Sequence, residues 1–61
     1  MVLYANGRAI ATKRIGRGWD KSVLAKKAGL NHSIVVRAEQ GRRISPASAT
    51  ALADALGVGF F

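Results

Sequence analysis

Sixty-one residues allow one domain, taken as residues 1–61, with a small core, and no cysteine is present to staple it. Ten Lys and Arg against three acids give a formal net charge of +7 and a pI near 11.4. A balance this basic attracts polyanions, nucleic acid first; a merely solvated surface and an anionic membrane are the alternatives. The lone His32 lacks the three or four protein ligands a zinc site generally needs, so no metal and no cofactor is expected.

The leader, residues 1–6, lacks the long apolar core of a signal peptide, and its Tyr4 is placed at the edge of the core. The first helix is expected over 7–15, ended by Gly16-Arg17-Gly18, since glycine takes the left-handed conformation that closes a helix. Asp20 is positioned to cap a second helix over 21–28, with Leu24, Ala25 and Ala28 on one face. Gly29 stops it and Leu30 plugs the corner. Asn31 caps a third helix over 32–40, and Gly41 ends it. Arg42-Arg43-Ile44 reads as a basic loop. Ser45-Pro46 opens a fourth helix over 46–56, because proline at the first helical position forfeits no hydrogen bond. Its inner face is Ala49, Leu52, Ala53 and Leu56. Gly57 closes it before the apolar tail 58–61. The apolar-rich stretch 47–61 is broken by Ser48, Thr50, Asp54, Gly57 and Gly59, and is shorter than the ~20 apolar residues of a membrane span. No strand pattern, repeat or linker is evident.

The corner between helices two and three is the most specific feature. Ala25 lets the third helix approach closely, Gly29 permits a sharp turn, and Leu30 and Val35 fill the angle. These are the mechanical demands of a helix-turn-helix, which holds one helix across another for presentation to a DNA groove. An ordinary helical hairpin also favours glycine at its corner. A rotation of about 100° per residue turns Val35 and Ala38 of the third helix inward, with Asn31, Ile34 and Glu39 at their flanks. His32, Ser33, Val36 and Arg37 share the outer stripe. Arg37 has the fork that reads guanine O6 and N7, and Val36 suits a thymine methyl. Each also has a plainer role, Arg37 and His32 at phosphate and Val36 against a partner chain. Arg14 and Glu39 are placed to meet beneath the third helix, an arrangement that fixes orientation more than stability.

Gly7-Arg8-Ala9-Ile10, Lys13-Arg14, the corner, Glu39-Gln40-Gly41-Arg42-Arg43 and the run from Pro46 through Leu56-Gly57-Val58 together resemble the phage repressor and Cro type of helix-turn-helix domain, the XRE family. The resemblance implies an all-α, compact four- to five-helix bundle of the lambda-repressor-like type. It implies double-stranded operator DNA as ligand, usually bound by a symmetric dimer on a palindromic site. It also implies an Arg14–Glu39 pair, phosphate contacts at Lys21, Arg42 and Arg43, and base contacts at His32, Ser33 and Arg37. Val36 joins the base-contacting group from its place on the stripe. Asn31, Arg17 and Lys26 complete the phosphate-contacting set. Four features depart from the family: the chain has only Gly59-Phe60-Phe61 where a fifth helix usually follows, Lys13 stands at a commonly apolar position, Ala38 is smaller than usual and is expected to thin the core there, and Asp20 and Val23 replace the more common polar choices of the second helix. The first leaves monomer and dimer both open.

The leading reading is a sequence-specific transcriptional regulator, by its resemblance a Cro-like phage or prophage repressor, located in the bacterial cytosol or nucleoid. No small-molecule effector is expected, and no membrane association. An antitoxin-like, protein-binding module is the second reading. A nonspecific cationic binder of nucleic acid or membrane surface is the third, although its glycines interrupt any long amphipathic helix. An enzyme is not expected: no nucleophile has a matched base, and no carboxylates are paired.

Overall fold

Among the described residues four helices form the frame: α1 (Gly7–Gly16), α2 (Lys21–Ala28), α3 (His32–Glu39) and α4 (Pro46–Leu56). The computed structural model describes residues 3–4 and 6–57. Among these, the fold is all-α apart from one short pairing. The contact expected of the Tyr4 side chain, and the apolar tail 58–61, lie outside the described residues.

Side chains just before α1, α2 and α4 supply partners for the amides that lack them. Asn6 Oδ1 accepts from Ala9 N at 3.1 Å, Asp20 Oδ1 from Val23 N at 2.9 Å, and Ser45 Oγ from Ser48 N at 3.1 Å. Asn31 occupies the same position before α3 but makes no side-chain cap bond, contrary to expectation. The helix ends follow one pattern. At Gly29, Gly29 N donates to Lys26 O at 3.2 Å and Leu30 N reaches back to Ala25 O at 2.8 Å. This double closure needs a left-handed residue, and Gly29 has φ +70°. The same pair of bonds closes α1 at Gly18 and α3 at Gly41. Gly16 is thus the last helical residue of α1, and the left-handed glycine there is Gly18.

Ile10, Leu24, Ala25, Val35, Ala38, Ile44, Leu52 and Leu56 form the core, with Leu30, Ala28 and Ala49 packed half-buried against it. The helix-turn-helix of α2 and α3 is seated on α1 and α4. Lys13 is exposed, so a charge there costs nothing.

Two expectations need correction. The leader and the Arg42-Arg43-Ile44 loop contain strands, β1 (Leu3–Tyr4) and β2 (Arg43–Ile44), paired antiparallel with Leu3 opposite Ile44 and Tyr4 opposite Arg43. Two-residue strands have no periodicity to reveal them; the pairing is fixed by burial of Ile44 in the core, which leaves Arg43 outside. The small Ala38 also leaves no gap. It is fully buried where α1 approaches α3 so closely that a Cβ on Gly7 would overlap the Glu39 carbonyl and lie 2.7 Å from Ala38 O. Glycine on one helix and alanine on the other let the two backbones meet.

Candidate nucleic-acid interface

The outward face of α3 is assembled from the ground up by what pins its inward face. Val35 and Ala38 are fully buried, and Ile34 packs half-buried against the core. Below them, Arg14 on α1 and Glu39 on α3 form a two-pronged ion pair, Nε to Oε2 at 2.7 Å and Nη2 to Oε1 at 3.0 Å. Arg14 Nη1 donates to Trp19 O at 2.9 Å, so one guanidinium ties α1, the α1–α2 turn and α3 together. The hydrogen bond to Glu39 is the main cause that raises the Arg14 pKa above its ordinary value, outweighing desolvation. With Glu39 charged, the raised pKa stabilises the fold below the ordinary arginine value, a contribution lost as pH rises through the higher folded value.

With the helix fixed in rotation, His32, Ser33 and Arg37 are exposed along one stripe. Val36 lies between them but is half-buried, less outward than helical spacing implied. Arg37 Nη2 donates to Arg43 O at 3.3 Å. Gln40, one turn beyond Val36 and exposed, extends the stripe. The same helical spacing that placed the others would have found it.

The expected phosphate-contacting residues fall into three groups. Arg42 and Arg43 are exposed just past the C-terminus of α3, Lys26 is exposed on α2, and Lys21 is half-buried at the first position of α2. Asn31 is exposed before α3, its amide not used in capping. Arg17 is engaged elsewhere. Its Nη2 donates to Leu56 O at 2.6 Å, and its guanidinium carbon lies 5.3 Å from the centroid of the Trp19 ring. The final carbonyls of α4 lack helical partners, and a cation there also opposes the negative end of the helix. Arg17 therefore serves the C-terminus of α4, a structural role that the phosphate contact expected of it did not include. Lys27 Nζ is 5.0 Å from the same Trp19 ring, so the indole is contacted by two cations.

No helix among the described residues is long and apolar enough to cross a membrane. A family model described as helix-turn-helix matches residues 10–61, most of the chain. No curated protein matches it. The matched span contains the α2–α3 corner and all of α3 and α4, and with it the exposed stripe and its flanking cations. The chain belongs to the XRE-type helix-turn-helix family of DNA-binding proteins.

Proposed function

We propose that this protein is a Cro-like phage or prophage repressor that reads operator DNA through the major groove with α3. The observation that carries the reading is the stripe of His32, Ser33 and Arg37, held outward by the buried Val35 and Ala38 and bordered by the exposed Arg42 and Arg43. In this reading His32, Ser33, Val36 and Arg37 meet base edges, while Lys21, Lys26, Asn31, Arg42 and Arg43 meet phosphates. Phosphate contacts position the protein and base contacts specify the site. Repression is by occupancy, without catalysis and without a small-molecule effector. The acids leave the stripe cationic: Asp20 caps α2, Glu39 pairs with Arg14, and Asp54 is exposed on α4.

Selection from a random duplex pool at near-physiological salt, followed by titration of the winner against a scrambled control, tests the proposal. Enrichment of one sequence supports it. A palindrome would identify a homodimer and give its half-site spacing, and a single half-site would identify a monomer. Equal affinity for winner and control would overturn it and favour a protein partner, in the manner of an antitoxin.

A further inference from the structure

Arg37 is not a loose side chain on the exposed face. Its hydrogen bond runs to the backbone carbonyl of Arg43, and Arg43 belongs to β2, which is paired with Leu3–Tyr4 of β1. The next residue, Ile44, is anchored in the core. The chain between the two arginines is also closed, since Arg42 N donates to Arg37 O at 3.0 Å. We propose that β1 is a positioning element for DNA reading: by pairing with β2 it fixes the Arg43 carbonyl, which orients the Arg37 guanidinium before DNA arrives. The inference rests on the reading of Arg37 as a base contact.

The chemistry of the guanidinium makes the tether useful. It presents five donors in a rigid plane, and either of two adjacent edges can form a two-pronged contact. One hydrogen on Nη2 directed at Arg43 O occupies one edge and leaves the other whole. That second edge has the geometry to meet guanine O6 and N7. Tethering also removes part of the cost of ordering a long side chain on binding. A bond of 3.3 Å on an exposed residue adds little to folding stability, so its consequence lies in orientation. Residues 3 and 4, some forty positions from β2 in sequence and outside α3, thereby influence which base is preferred.

The test uses the full chain with Leu3→Pro and Tyr4→Pro combined, which removes both backbone donors of β1. A Leu3→Ala/Tyr4→Ala pair keeps those donors and measures the loss of side chains alone. The first readout is nitrogen-15 relaxation of the Arg37 Nε–H group in the free protein. The proline pair is expected to loosen Arg37 to the mobility of Arg42, and to do so beyond any effect of the alanine pair. The second readout is the affinity ratio between the selected duplex and one altered at the base pair that Arg37→Ala makes indifferent. The proline pair should lower that ratio roughly three- to tenfold, leave the salt dependence intact, and add nothing in an Arg37→Ala background. Unchanged Arg37 relaxation, or an equal loss on every duplex, would overturn the inference. Should the double proline variant melt below the working temperature, Leu3→Pro alone is measured by the same readouts. If the unmodified chain discriminates between no duplexes, the DNA-reading proposal fails, while the relaxation data still decide whether β1 holds Arg37.

Discussion

Arg14 and Arg37 meet opposite sides of α3, and the contrast between them separates structure from function. Arg14 reaches across from α1, and its side chain is only 12% exposed. It donates through Nε and both Nη atoms to Glu39 and to the Trp19 carbonyl. Arg37 projects from α3 itself, is exposed, and makes one 3.3 Å bond to a backbone carbonyl. Every nitrogen of the guanidinium has a partner in one place, and only one has a partner in the other. The three bonds of Arg14 fix the rotation of α3, and spare donors on a fixed helix are what a base edge can use. Loss on the Arg14 side should therefore appear in stability, and loss on the Arg37 side in sequence preference.

The strongest test of that division is Glu39→Ala. It leaves Nε and Nη2 of Arg14 without partners in a nearly dry site, a fault that costs about 3–5 kcal/mol where burial is complete. With 12% exposure of Arg14, about 2–4 kcal/mol is expected. A domain of this size has roughly 3–9 kcal/mol in total, so thermal melting should show a large fall. A melting curve indistinguishable from that of the unmodified chain would show that the pair does not hold α3. Gly7→Ala comes next. The added Cβ overlaps carbonyl oxygens of α3, which are backbone and cannot swing aside. Overpacking of this kind costs about 1–3 kcal/mol, measured by urea denaturation. An unaltered midpoint would mean that α1 and α3 can separate freely.

These two sites also mark how far the sequence is legible. Helix limits could be read because their signals are local: Asp20 before α2, Ser45-Pro46 before α4, and glycine after α2. The inner faces followed from spacing, as the buried Leu24, Val35 and Leu52 show. What was hidden depends on partners distant in sequence. Gly7 resembles an ordinary helix start until α3 is laid against it, and the β1–β2 pairing joins segments about forty residues apart. Arg17 is one more surface cation in the sequence, and its role emerges only when the end of α4 comes within 2.6 Å. Asn31 has the right chemistry for a cap, but the residue type does not dictate that the bond forms. On the outer stripe, spacing identified His32, Ser33 and Arg37, whereas the half-burial of Val36 depends on neighbours that periodicity ignores.

On the other side of the comparison, Arg37→Ala should leave melting nearly unchanged, because an exposed side chain with one long bond contributes little to folding. Its effect should be a loss of discrimination of about 1–3 kcal/mol at one base pair of the selected site. Titrating duplexes altered one position at a time measures this. A uniform weakening across all duplexes would make Arg37 a phosphate contact and would remove the functional half of the contrast.

The smallest expected effect comes from Lys21→Ala, and it sharpens the division within the surface itself. Lys21 begins α2 and is half-buried, with Asp20 capping the helix just before it. A lysine there acts as a point charge and has no fork with which to choose among bases. Its removal should weaken selected and scrambled duplexes by the same factor and leave their ratio intact. The slope of log affinity against log salt should fall in magnitude by about one, because one fewer phosphate is neutralised and one fewer counterion released. Titrations of both duplexes across a range of salt concentrations measure ratio and slope together. A changed ratio with an unchanged slope would place Lys21 among the base-reading residues and extend the reading surface from α3 onto α2.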